Sequence, residues 1–242
     1  MALDGVSFDV MPGEICGLIG PNGSGKTTLF NCISRIYRCG RGDIRFEGRS
    51  LLDRPRRATA GLGIGRTFQN LALFRRMTVR ENVLVGHHCR MRSSFFDHAL
   101  RLPWVAREER AAADAADDLI DFLDLGAVQD ALVESLPFGT QKRVELARAL
   151  AGTPKFLLLD EPAGGLNHSE VDGLRQLIGT IRDRFHMTVL LVEHHMNLVM
   201  RISDRVVALD FGRKIAEGTP AVVQAHADVA RAYLGTAHAG TA

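Results

Sequence analysis

Gly20-Pro21-Asn22-Gly23-Ser24-Gly25-Lys26-Thr27 is the stretch whose reading decides the fold. It fits the phosphate-loop pattern G-x-x-x-x-G-K-[ST]. Before it stands the apolar run Ile15-Cys16-Gly17-Leu18-Ile19; after it, residues 27 to 37 carry Leu29, Phe30, Ile33 and Ile36 at helical spacing. The local order is therefore strand, glycine-rich turn, helix. Glycines let backbone N–H groups converge on a β-phosphate, Lys26 adds positive charge near the β/γ oxygens, and Thr27 offers a hydroxyl to Mg²⁺. Gly20 to Thr27, with Thr28 following, form the expected nucleotide-binding set. At average residue usage the bare pattern arises by chance in about one chain in a hundred of this length, and the strand and helix context lowers that further.

Working outward, residues 43 to 46 alternate like a strand between Gly42 and Gly48, which predicts a small antiparallel segment. From about 78 to 148 the chain reads as mostly helical, with Ala112, Ala116, Leu119, Ile120 and Leu123 on one apolar face. After Pro154 it returns to α/β alternation: a strand at 156 to 159, a helix at 169 to 185, a strand at 188 to 192. A parallel sheet is expected, closed by a hairpin around 206 to 216. The strand at 156 ends in Asp160-Glu161. At the carboxyl edge of a sheet that starts from a phosphate loop, Asp160 is placed to hold Mg²⁺ through water and Glu161 to deprotonate an attacking water. Taken alone, two acids after four apolar residues would be a solvated strand end.

The 242 residues, 46% hydrophobic and 24% charged, allow one large domain or two lobes on one core and exclude disorder. Thirty Lys+Arg against 28 Asp+Glu leave a formal +2, which removes the basic balance of a protein living on nucleic acid. No apolar run is long enough to span a bilayer, and the start is unlike a signal peptide. The four cysteines suit reduced thiols better than disulfides or a zinc pair. His87-His88 beside Cys89 reads as structural, because adjacent ligands on a helix point apart.

With these residues in hand, the chain resembles the ATP-binding subunit of an ABC transporter from Ala2 to about Leu234. The resemblance implies a P-loop NTPase fold: a RecA-like α/β core, a small antiparallel β segment and an inserted α-helical subdomain. One domain over 1–235 is expected, with a core lobe at about 1–77 and 152–235, a helical subdomain at about 78–151, and a frayed tail at 236–242. Arg66-Thr67-Phe68-Gln69 resembles the Q-loop, which gives Gln69 a role at Mg²⁺ and the attacking water. Leu136-Pro137-Phe138-Gly139-Thr140-Gln141-Lys142-Arg143 occupies the signature position, where Gly139 and the following helix start, expected at Val144, face a partner's ATP. Gly164-Gly165-Leu166-Asn167 resembles the D-loop and Val192-Glu193-His194 the H-loop, with His194 as a switch at the γ-phosphate.

Further stretches, among them 63–69, 77–83, 161–167 and 217–220, are similar to branched-chain amino-acid importers. That group implies ATP and Mg²⁺, a second ATP-binding subunit, paralogous or identical, two integral membrane permease subunits, an indirect periplasmic solute-binding protein, and a peripheral place on the cytoplasmic face of the inner membrane. Leu73, Phe74 and Met77, after Gln69, are expected at the permease interface. Two alternatives are a non-transport ABC ATPase and an ATP-binding regulatory subunit with weak hydrolysis. Three departures stand out. Pro137 replaces the usual signature Ser, and Thr140 replaces Gln, which is expected to weaken closure while Thr140 caps the helix. The family also carries a strand and an adenine-stacking aromatic before the stretch matching Ala2 to Val6, so the natural chain is expected to start upstream of Met1.

Overall fold

A computed structural model describes residues 2–55, 58–68, 71–90 and 103–235. Gln69 and the 236–242 tail lie outside the described residues. In chain order the strands are β1 Ile15–Ile19, β2 Arg45–Phe46, β3 Arg49–Ser50, β4 Ile64–Arg66, β5 Phe156–Asp160, β6 Thr188–Val192, β7 Arg205–Asp210 and β8 Arg213–Gly218. The principal helices are Lys26–Ile33, Val79–His87, Pro103–Phe122, Phe138–Ala151, His168–Phe185, Met196–Ile202 and Ala227–Gly235.

The described residues divide into two compact units, one reaching Thr59 and resuming at Lys155, the other Ala60–Pro154. The first junction between these units falls at 59/60. The reason is where Phe68 and Phe74 place their hydrogen bonds. Phe68 N–H donates to Glu145 Oε1 (3.0 Å), Phe74 N–H donates to Asn82 Oδ1 (2.9 Å), and Asn82 returns a bond to the Phe74 carbonyl (3.0 Å). These bonds tie Phe68 and Phe74 to residues of the helices Phe138–Ala151 and Val79–His87.

In the first unit the sheet order is β5-β6-β1-β7-β8, parallel throughout except for the β7–β8 hairpin. Every residue of β1 and β5 is buried. That is why the strands read as continuous apolar runs instead of alternating: helices cover both faces of a parallel sheet. The hairpin turns through Phe211 and Gly212, both at positive φ (42° and 77°), the geometry that matches the twist of the strands. β2 and β3 form the expected small antiparallel pair. The helix predicted over 27 to 37 stops at Ile33, because Arg35 turns left-handed (φ 60°) and the Ile36 and Tyr37 amides both donate to the Asn31 carbonyl. Phe185 is the last residue of the helix His168–Phe185 and is exposed.

Gly17, at the centre of β1, lets the helix Met196–Ile202 approach closely. A Cβ there would lie 2.4 Å from Val199 Cγ1 and 2.7 Å from Ser203 Oγ. Gly17→Ala is therefore expected to cost about 1–3 kcal/mol by overpacking, read from urea unfolding as a lower midpoint.

In the second unit, Thr78 and Glu81 form a capping box at the start of Val79–His87. That helix crosses Phe138–Ala151 at Gly86, whose Cβ would meet the Arg148 carbonyl oxygen at 2.0 Å. The face of Pro103–Phe122 that packs inward carries Ala112, Ala116, Leu119 and Ile120, as the spacing predicts.

Candidate active site

Register brings the site together. Asp160 on β5 pairs with Val192 on β6, and Val192 pairs with Leu18 on β1. The residues that leave these parallel strands, Gly20, Glu161 and His194, therefore emerge at one edge of the sheet. Substrates of open α/β sheets bind outside the carboxyl ends of the strands.

The loop from Gly20 to Thr27 wraps the start of the helix Lys26–Ile33. Gly25 is its N-cap at φ 103°, without a side-chain cap, and the first turn carries no acid. Its amides and dipole are thus left facing outward, an arrangement that suits phosphate. Gly20 admits no side chain: a Cβ would lie 2.2 Å from the Leu209 carbonyl oxygen and 2.5 Å from Ser24 Oγ. Lys26 folds back over the loop, its Nζ donating to the carbonyls of Gly20 (2.7 Å) and Pro21 (2.9 Å). Burial lowers the pKa of this ammonium and the Glu161 carboxylate opposes the shift. Asn22, Gly23 and Thr27 are exposed, and Pro21 and Ser24 are buried.

Asp160 is buried at the end of β5. Glu161 follows at φ 49°, a conformation costly for a non-glycine residue, held by its own N–H to the Val192 carbonyl (2.9 Å). Its Oε1 lies 2.6 Å from Nε2 of His194, close enough for that nitrogen to donate to the carboxylate. The two residues assigned as base and switch thus touch each other. Among the described residues no group of three or more His, Cys, Asp or Glu is arranged to hold a metal. A Thr27 hydroxyl and an Asp160 carboxylate fit Mg²⁺ brought by phosphate oxygens, since that ion commonly takes one or two protein ligands and completes its shell with phosphate and water.

Sequence reasoning passed over Glu193. It is 1% exposed. Its Oε1 accepts from Ala163 N–H (2.6 Å) and its Oε2 from the N–H groups of His194 (3.0 Å) and His195 (3.4 Å). One carboxylate thereby ties the turn after Glu161 to the turn carrying His194. Burial raises its pKa, and the three amide donors work against that rise. The available signal was a second acid at a strand end beside a histidine; its partner Ala163 is 30 positions away.

In the second unit, Phe138–Ala151 begins at the signature residues and not at Val144. Pro137 is its N-cap with no side-chain cap bond, so Thr140 lies inside the first turn and does not cap it. The Gln141 side chain donates back to the Leu136 carbonyl (2.8 Å). Gly139 stands in this first turn, partly exposed. Glu145, buried in the same helix, accepts from Phe68 N–H, and Arg148 donates to the Ala72 carbonyl (2.5 Å), so the helix grips the chain on both sides of position 69. Phe74 is exposed.

Residues 3–164 match the model of the ABC transporter family, and residues 213–239 match the model described as branched-chain amino acid ATP-binding cassette transporter. The chain belongs to the ABC transporter family. It is 40% identical over 98% of its length, and 93% of the relative's, to the high-affinity branched-chain amino acid transport ATP-binding protein BraF of Pseudomonas aeruginosa. It is 36% identical, over 95% and 89%, to the lipopolysaccharide export system ATP-binding protein LptB of Haemophilus influenzae. Among solved structures it is similar to an ATP-binding cassette of an ABC transporter in its ADP conformation, with a TM-score of 0.83, 32% identity, and coverage of 97% of this chain and 92% of that one. The α/β fold is that of the ABC ATPase cassettes, and ATP hydrolysis coupled to transport is the family's activity.

For an ABC cassette built this way, Glu193→Gln is expected to lower ATP hydrolysis about tenfold. It sets an amide donor against a backbone N–H inside a buried site, a loss of about 1–3 kcal/mol. Phosphate release from wild type and variant at saturating ATP checks it.

Proposed function

We propose that this chain is the ATP-binding and ATP-hydrolysing subunit of an importer for branched-chain amino acids or a related small polar solute. The match of residues 213–239 to the branched-chain model carries the choice of solute class, since a relative named for branched-chain amino acid transport and one named for lipopolysaccharide export are of similar identity. Gly20 to Thr28 would hold the triphosphate, with Lys26 at the β/γ oxygens. Thr27, Asp160 through water, and Gln69 would hold Mg²⁺, which would supply positive charge to neutralise the phosphate oxygens.

Glu161 takes a proton from water as the water oxygen bonds to the γ-phosphorus. The bond from that phosphorus to the β-bridging oxygen breaks, and ADP and phosphate leave. His194, already at hydrogen-bond distance from Glu161, turns the presence of a γ-phosphate into a change at the base. Gly139 and the exposed start of its helix would bind the ATP of a second ATP-binding subunit, and closure of that pair would drive two membrane permease subunits.

Among the described residues no helix is long and apolar enough to cross a membrane. A place on the cytoplasmic face, docked through permease subunits with Phe74 and its neighbours at the contact, follows from this reading. The test is affinity purification from detergent extracts. Two permease-like subunits and a second ATPase are expected, with hydrolysis by the reconstituted complex stimulated by a leucine-loaded binding protein. Recovery with ribosomes or DNA, or stimulation by lipopolysaccharide alone, would overturn it.

A further inference from the structure

The helix Ala227–Gly235 carries Tyr233, whose Oη accepts a hydrogen bond from the Gly20 N–H at 2.9 Å, across 213 positions of sequence. Gly20 is buried, and the register between β1 and β7 ends at the pair Ile19–Ala208, one residue before it. The strand therefore hands its next amide to a side chain. The carbonyl of the same residue accepts from Lys26 Nζ at 2.7 Å. Gly20 is thus the joint between a C-terminal phenol and the lysine of the phosphate loop. On the β7 side, a Cβ added at Gly20 would lie 2.2 Å from the Leu209 carbonyl oxygen, so only glycine fits at this joint. The Tyr233 ring is fixed by packing against the cluster that includes Ile19, Ala208, Val223 and Val229.

We infer that Tyr233 is a positioning residue for nucleotide binding: its hydroxyl sets the orientation of the Gly20 amide, and through it the loop entrance and Lys26. This rests on reading Gly20 to Thr27 as the ATP loop. It also gives residues 213–239, the segment that matches the branched-chain model, a physical connection to the nucleotide, because Tyr233 lies within it. Side-chain hydroxyls commonly complete a backbone at the end of a ladder, where an unpaired buried amide would otherwise cost free energy.

The test uses the full chain and Tyr233→Phe, which keeps the ring and removes the acceptor. ATP binding is measured by titration calorimetry, and turnover in the assembled complex. About a tenfold weaker ATP affinity is expected, with KM for ATP rising by a similar factor and kcat unchanged. Thermal unfolding without nucleotide should also fall, because the buried Gly20 N–H is left without its acceptor. Val223→Ala, which thins the packing under the same ring, should lower the unfolding temperature while leaving ATP affinity in place. If Tyr233→Phe binds ATP as tightly as wild type, or loses only thermal stability, the inference is overturned while the ATP loop stands. If wild type itself binds no ATP, both readings fall.

Discussion

Glu161→Gln is expected to lower ATP hydrolysis by about 10²–10⁴-fold, the range spanned by loss of a positioned general base, while ATP binding persists. The side chain is nearly isosteric, and the backbone strain at φ 49° is held by the bond to Val192 in either variant. What changes is chemical: an amide cannot take the proton of the attacking water. It can still accept from Nε2 of His194, which lies 2.6 Å from the present Oε1, so the histidine should stay in place. With the γ-phosphate uncleaved, the paired ATPase subunits should accumulate closed. Phosphate release and size-exclusion chromatography with ATP measure the two effects, and full turnover by the variant would remove Glu161 as the base.

The second large effect is expected at Lys26. Lys26→Ala should weaken ATP binding about 100-fold or more, the equivalent of roughly 3 kcal/mol of charge-assisted hydrogen bonding. Two losses combine. The γ- and β-phosphates lose a buried cation, and the Gly20 and Pro21 carbonyls lose the ammonium that gathers them. Lys26→Arg should not restore affinity, because a planar guanidinium cannot enter the space of a 5% exposed ammonium between those carbonyls. Calorimetric titration with ATP distinguishes the variants, and near-native affinity in Lys26→Ala would show that the loop backbone alone binds the phosphates.

Legibility in the sequence followed the range of the interaction involved. The phosphate loop is readable because its function needs four residues of restricted type at fixed places within eight positions, and strand and helix patterns flank it within a few positions. The strands β5 and β6 are readable because burial on both faces leaves each of them apolar at all but one position. The start of Phe138–Ala151 was misplaced because Gly139 and Thr140 read as a loop, while Gln141 reaching back to Leu136 secures the first turn. The junction at 59/60 is not legible for a related reason. Residues 68 to 77 show no helical periodicity, and their allegiance is decided by side chains such as Asn82 and Glu145.

By itself, then, the sequence determined the α/β class, the phosphate loop, and the order of Asp160, Glu161 and His194 along the chain, since contiguous residue types encode each of these. Only the tertiary structure decided that Glu161 and His194 touch, that Glu193 binds their two turns together, and that Tyr233 supports Gly20. A hydrogen bond between residues 30 or 213 positions apart leaves no periodic trace in the chain, because it depends on register and packing that exist only once the sheet has closed.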